Sequence, residues 1–437
     1  MKSHFIPGVV ATRVIFFAVL SILASHVRAA DVQPVDIEAR DGTSLQKLMD
    51  RYAGKGVALR ISAPTMLTCE VQEHEIEGEI SRHALLIPDG IHLDLNKSTL
   101  NLDLRQNSHG VRLSNRSSIR NGTIRIVRSE NKGSQAAWHS GISVGAPYDD
   151  GGTPEKPGYF SKVSHWAIED ITIDQPFPTA AIQLMSEACH GVIRRVQILD
   201  SPKALLGIGM DWGCVGKANS ADDQIPRMRE LWEANQLYTT HPHDILVEDL
   251  QVGHLTRNVD GNDAGVRCSA CYNIRIRNVH VKSAAAAVAI FGGDCGFEFA
   301  PKELRPLAHT GYSVEGVVIE EAFQCGIILN GLADNVFRSG QKHGYQMLLD
   351  PAQPGLNRVN VSDCQLTGSR APGSLGAFIT AVSQVQFRNV TLQNFKTGVR
   401  IKDWVNDLKF QNCDLSQNDQ PRSIAGTQSE PRGVVFE

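Results

Sequence analysis

One column of residues constrains this chain more than any other feature. Nine segments superpose on it: "SIRNGTI" (118–124), "AIEDITI" (167–173), "VIRRVQI" (192–198), "LVEDLQV" (246–252), "RIRNVHV" (275–281), "SVEGVVI" (313–319), "NVSDCQL" (360–366), "QFRNVTL" (386–392) and "KFQNCDL" (409–415). In each, an apolar residue is followed two places later by Asn121, Asp170, Arg195, Asp249, Asn278, Gly316, Asp363, Asn389 or Asn412. Eight of these nine are Asn, Asp or Gly, the types that tolerate left-handed backbone angles, so the column predicts a sharp bend between two short strands. Asn side chains stacked in such a column can also hydrogen-bond from one copy to the next. Asn121 and Asn389 open Asn-x-Ser/Thr sequons but belong to this column, so they are expected to be buried and unglycosylated.

A second column follows in "GISVG" (141–145), "AIQLM" (181–185), "GIGMD" (207–211), "GVRCS" (265–269), "AVAIF" (287–291), "GIILN" (326–330), "AFITA" (377–381) and "GVRIK" (398–402). Strand alternation sends its second and fourth members inward and its third and fifth outward. Three short strands per turn of roughly 22–26 residues, with an Asn-rich bend, describe a parallel β-helix, an all-β solenoid. Over roughly residues 85 to 420 the chain resembles the right-handed parallel β-helix proteins of the pectin-lyase-like superfamily. The resemblance implies a helix over the open N-terminal end of the stack, and "DGTSLQKLMDRYAGKGVALRISAPTML" (41–67) supplies one, with Thr43 or Ser44 as its cap. It also implies a groove for an extended polysaccharide, floored by one strand of each coil, and the activities of polysaccharide hydrolases, lyases and epimerases.

The N-terminal "MKSHFIPGVVATRVIFFAVLSILASHVRAADVQP" places basic residues before an apolar core and ends on a small-residue cleavage pattern. It reads as a signal peptide over 1–29, which predicts a secreted or periplasmic protein with a cap over about 35–84 and one β-helix domain over 30–437. The apolar core is shorter than the roughly 20 residues that span a bilayer, so no stable membrane partner is expected. A net charge of −4 gives no basic surface for nucleic acid. The nine cysteines show no compact framework; about half fall on inward positions as small core residues, and Cys214 with Cys295 follow equivalent strands and could pair.

Four long insertions, 146–164, 212–244, 292–311 and 331–355, leave their coils after the second-column strand. They are expected to wall one side of its outward face. On that face Asp211 and Arg267 occupy neighbouring coils, Asp294 lies just beyond the next, and Asp260 and Asp263 sit at the corner entering Arg267's strand. Carboxylates roughly 5–10 Å apart divide acid and base roles in glycosidic cleavage, which points to glycoside hydrolysis by Asp211 with Asp263 or Asp294. An outward strand Asp such as Asp211 has no turn to explain it, whereas Asp260 and Asp263 also suit a turn. The alternative enzyme is a uronate lyase or C5-epimerase, with Arg267 neutralising the substrate carboxylate and His241 or His243 moving the proton. Trp212, Tyr238, Phe291, His241 and Asp260 are the candidate substrate-binding residues, the aromatics by stacking on sugar rings.

Within the superfamily, "GVRIKDW" (398–404) resembles the Arg-Ile-Lys element of polygalacturonases, but it lies about five coils from Asp263 and the accompanying Gly-His-Gly is absent. "YTTHPHD" (238–244) resembles the Asp-Pro-His motif of mannuronan C5-epimerases, with His241 where the family has the aspartate. A non-catalytic glycan-binding or adhesion β-helix is the reading from another class. No cofactor motif is present; Ca2+ bridging uronates is compatible with the acidic cluster, but no ligand spacing argues for it. The expected partner is a polysaccharide or oligosaccharide.

Overall fold

The computed structural model describes residues 33–76, 79–105, 108–130, 140–145, 162–177, 180–211, 241–256, 263–269, 271–292, 309–331, 356–426 and 430–437. The predicted signal segment and most of the four long insertions lie outside them. The described strands join one sheet whose pairings are parallel, except that Gln72–Ile76 pairs antiparallel with Glu79–Ile87. The fold is the right-handed parallel β-helix that the repeat predicts.

Every member of the bend column has a positive φ, from 51° at Asn412 to 63° at Gly316, and Arg195 adopts it too at 52°. The side chains make the expected ladder: Asn278 donates to Asp249 at 3.2 Å, Asn389 to Asp363 at 2.8 Å and Asn412 to Asn389 at 3.5 Å. Asn121 and Asn389 are not buried, contrary to expectation. The bend turns their side chains along the surface, where the ladder engages them.

A second column of left-handed residues lies five positions before the first. It contains Arg116, His165, His190, Asp244, Asn273, Gly311, Arg358, Gln384 and Asp407. Two sharp bends therefore bracket the middle strand of each coil, and on its outward face runs a column of charge. The register stacks Asp36, Arg60, Asp94, Arg120, Glu169, Arg194, Glu248, Arg277 and Glu315 on successive rungs. Sign alternates at each step, so each interior member has an opposite charge above and below. The contacts include Arg60 to Asp36 at 2.7 Å and Arg120 to Asp94 at 3.1 Å, and Glu248 is hydrogen-bonded by both Arg194 and Arg277.

Inside, the second-column strands stack Val111, Ile142, Ile182, Ile208, Val266, Val288, Ile327, Ala377 and Val399. All are buried in one cluster, and each Val or Ile there contributes about 1.5–3 kcal/mol relative to exposure. The coil at 375–380 is offset by one from the expected frame. Ala377 and Ile379 face the core, and Phe378 takes the outward position level with Ile328 and Arg400. Just before the inward residue, a glycine recurs at 110, 141, 207, 265, 326, 376 and 398. At Gly207 an added Cβ would stand 2.4 Å from the Gly265 carbonyl oxygen. Close coil stacking at this corner excludes a side chain.

The N-terminal end is closed by the helix Gly42–Tyr52, which buries Leu45 and Met49 in the main core. Its cap is Asp41 rather than Thr43 or Ser44. The Asp41 side chain accepts from the Ser44 amide at 2.7 Å, while Ser44 Oγ accepts from the Asp41 amide at 3.1 Å, a reciprocal capping box. Gln46 then clamps the helix to the first coil through the amide and carbonyl of Leu86. The seven described cysteines are free, and all but Cys413 are buried; Cys214 and Cys295 lie outside the described residues.

Candidate active site

The outward row of the second-column strands reads Arg112, Ser143, Gln183, Gly209, Arg267, Ala289, Ile328, Phe378, Arg400 along successive rungs. The row changes character at Arg267. Towards the C-terminus, Ala289, Phe291, Ile328 and Phe378 join Ala264, Ala286 and Cys325 in a second apolar cluster, separate from the core. Towards the N-terminus the face is polar, and its residues are buried: His83, His109, Arg112, Ser140, Ser143 and Gln183. There His83 and His109 stack at 5.4 Å, Ser81 Oγ lies 2.9 Å from His83 Nδ1, and Arg112 donates to Ser81 at 3.0 Å. Burial first, and then the charge of Arg112, hold His83 well below the usual histidine range, so it is neutral.

Arg267 stands at the boundary. Its guanidinium is 3.8 Å from the Asp211 carboxylate and 5.7 Å from the centre of the Phe291 ring. Asp211 is 5% exposed, so this pair is largely withdrawn from water. The Asp211 amide donates to Leu184, which continues the strand ladder and sets Asp211 level with Met185. Phe291 is buried within the apolar cluster, which leaves it as a wall beside Arg267 rather than an open stacking platform.

His241 is brought to the same corner. Cys189 is level with His243, which puts Glu187 level with His241. The coil at 180–194 closes this corner with the one residue Ser186 between Met185 and Glu187. Asp211 and His241, at the two ends of the long insertion, are therefore two residue positions apart, about 7 Å between backbones at ~3.3 Å per residue. His241 is buried with its ring 5.5 Å from Tyr272, edge to face.

Asp263 is placed elsewhere. Its carbonyl accepts from Ala286 at the entry of strand Ala264–Ser269, whereas Asp211 lies level with Ser269 at the exit. Six residue positions, roughly 20 Å at ~3.3 Å per residue, separate the two backbones along the strand. That exceeds the roughly 5–10 Å over which two carboxylates share one glycosidic bond. His243 is not beside Arg267 either. It stands with Glu187, Cys189 and Asp244 at the bend that leads into the middle strands, with Nδ1 2.7 Å from Asp244 and Nε2 3.6 Å from Glu187. Burial opposes its charge, but hydrogen bonds to Asp244, Cys189 and Glu187 outweigh it, and the imidazole is pushed up to about 11. A histidine so held is charged at neutral pH and is a poor general base. Asp294, Trp212, Asp260 and Tyr238 lie outside the described residues.

The structure thus gathers Asp211, Arg267, His241 and Phe291, and sets Asp263 and His243 apart. Sequence reasoning did not single out Arg112, His83, His109 or Glu187. The first three lie on strands before the first superposed copy, and Glu187 becomes visible only when Cys189 is aligned with His243.

No protein-family model and no curated protein matches this chain. Among solved structures, it is similar to the A-module of the mannuronan C-5 epimerase AlgE4 of Azotobacter vinelandii, at 11% identity over 94% of this chain and 91% of that one, with a TM-score of 0.51. It is also similar to the surface protein and adhesin PfbA of Streptococcus pneumoniae, at 11% identity over 93% and 96% of the two chains and a TM-score of 0.49. A third is the catalytic unit of the GH87 α-1,3-glucanase of Streptomyces thermodiastaticus, at 11% identity over 94% and 67% and a TM-score of 0.41. At these identities the shared property is the fold.

Proposed function

We propose that this chain is an exported carbohydrate-active β-helix protein that acts on a uronate-containing polysaccharide by moving the proton at C5, as a lyase or epimerase does. The observation that carries the reading is the Asp211–Arg267 pair: a cation and a carboxylate in contact on the outward face, with Asp211 only 5% exposed. Arg267 neutralises the uronate carboxylate, which lowers the cost of the carbanion-like transition state in a site withdrawn from water. Asp211 and His241, two positions apart across the corner, take and return the proton. If the oxygen at C4 leaves, the chain is cut and a double bond remains; if the proton returns to the other face, the sugar is inverted.

A panel of polyuronates and neutral glucans tests this. Polyuronates should give unsaturated, ultraviolet-absorbing ends, or should exchange H5 for deuterium in heavy water, and Arg267→Gln should slow either by about 10²–10³. New reducing ends without unsaturation would overturn it in favour of hydrolysis, which uses Asp211 with a second carboxylate such as Asp294. Binding of glycan with neither product would make the chain a glycan-binding β-helix.

A further inference from the structure

We infer that Glu187, Cys189 and His243 form a binding site for a divalent transition metal of the zinc class. Their ligand atoms, one oxygen, one sulfur and one nitrogen, lie within 4.8 Å of one another. They come from adjacent rungs. Cys189 is the direct register partner of His243, and Glu187 lies two residues before Cys189, on the same face of its strand. Glu187 and Cys189 are buried, and the His243 side chain is 12% exposed.

The separation already suits a shared ion. Tetrahedral zinc with bonds of about 2.0–2.3 Å holds its ligand atoms roughly 3.3–3.7 Å apart. His243 Nε2 is 3.6 Å from Glu187 Oε1. The orientation of the imidazole is fixed from behind: His243 Nδ1 donates to Asp244 Oδ2 at 2.7 Å, which leaves Nε2 facing Glu187 and Cys189. That is the carboxylate–histidine arrangement that orients metal-bound imidazoles. Asp244 is itself held, by a hydrogen bond from Asn273 to its other oxygen and by its place in the second bend column at φ 54°.

The donor set selects the ion. Calcium and magnesium take oxygen ligands, six or more of them, whereas a thiolate with an imidazole favours zinc and its neighbours. Lys162 now donates to Glu187 Oε1 at 2.7 Å, and its side chain is 58% exposed, so it can withdraw into solvent. On binding, the metal displaces two protons to solvent, one from the Cys189 thiol and one from His243 Nε2, and takes the freed sulfur and nitrogen lone pairs and a Glu187 oxygen. The fourth position is left for water. The ion would tie the coil at 187–194 to the coil at 243–254, next to His241, and so hold the corner on which the proposed active site rests.

The test uses the full-length chain freed of metal with a chelator and titrated with Co2+. One equivalent should produce a thiolate-to-cobalt charge-transfer band with the visible bands of a four-coordinate ion, and Zn2+ should displace both. Cys189→Ser should lose the charge-transfer band, and Asp244→Asn should keep it while weakening affinity by about 10–100-fold. Absence of the band in the wild type, or its persistence in a folded Cys189→Ser, overturns the site. If Cys189→Ser does not fold, X-ray absorption on the zinc-loaded wild type decides: one sulfur at about 2.3 Å among nitrogen and oxygen neighbours supports the site, and an all-oxygen shell overturns it. These readouts need no substrate, so they stand whether or not the chain acts on uronates.

Discussion

Arg267 holds its guanidinium 3.8 Å from the Asp211 carboxylate, between a polar and an apolar half of the same strand face. If that pair recognises a uronate carboxylate, the two residues fail in different ways. Arg267→Gln should lower kcat/KM on a polyuronate by about 10²–10³, the loss typical of removing one charge-stabilising donor. Arg267→Lys should restore part of it, since charge is kept while the forked geometry is lost. Asp211→Asn should lower kcat with little change in KM. Steady-state kinetics on one polyuronate checks all three, and an Arg267→Gln enzyme with unaltered kcat/KM would remove the pair from the mechanism.

The ionic column gives a stability prediction with a defined pH sign. Burial alone would raise the Glu248 carboxyl, but hydrogen bonds from Arg277 and Arg194 outweigh it and its pKa is lowered. A depressed folded pKa means that the contribution is present above the unfolded value of about 4.3 and lost as pH falls through the folded one. Glu248→Gln should therefore destabilise the protein at pH 7 by about 1–2 kcal/mol, a figure reduced because both arginines are partly exposed. The difference from wild type should shrink as the pH is taken below 4. Chemical denaturation at several pH values measures it, and a pH-independent difference would show that shape rather than charge is responsible.

How much of this was legible in the sequence depended on how narrowly each position restricts residue type. The first bend column was readable because eight of nine members are Asn, Asp or Gly. The second has the same left-handed backbone, but only four of its nine members are Asn, Asp or Gly and the rest include His165, His190, Arg358 and Gln384, so no restricted set of types marks it. Arg195 shows how a column can break its own rule: its side chain pairs with Asp170 at 2.6 Å, and rung bonding on both sides carries the strain. The ionic ladder was hidden for another reason. Its members are from 24 to 54 residues apart, because insertions separate coils that are adjacent in space. Asp211 and Arg267 were found as rung neighbours by alternation alone. The distance from Asp211 to Asp263 was legible as well, since the superposed column ends on Asp211 while Asp263 precedes "GVRCS" (265–269), but pairing the two by rung alone passed over the strand length between them.

The glycine column predicts intolerance of the smallest side chain. At Gly207, a Cβ would meet the Gly265 carbonyl oxygen at 2.4 Å, and the same corner is built over several coils. The obstacle is backbone, so it cannot rotate away. Gly207→Ala should cost about 3 kcal/mol, at the upper end of the overpacking range. At Gly373, where φ is 77° and nothing lies within 4 Å, alanine should cost only the left-handed penalty of about 1–2 kcal/mol. Equilibrium unfolding of the two variants side by side separates crowding from backbone strain; equal losses would refute the crowding argument.

The first bend column yields the sharpest comparison, because two of its positions meet the same backbone demand by different means. Asn278 tolerates φ 52° and donates to Asp249 at 3.2 Å. Asn278→Val should lose the hydrogen bond and also force a β-branched residue into the left-handed region, for about 2–3 kcal/mol. Asn278→Gly should lose only the bond, for about 1 kcal/mol. At Arg195 the order reverses: glycine relieves about 1–2 kcal/mol of backbone strain while giving up an ion pair that is nearly half exposed and worth under about 1 kcal/mol. Arg195→Gly should therefore be neutral to slightly stabilising. Because coils in a solenoid can open separately, hydrogen exchange of the amides in rungs 167–173 and 192–198 is the better measurement. Faster exchange there in Arg195→Gly would mean that the Asp170 pair, and not the bend, holds those two coils together.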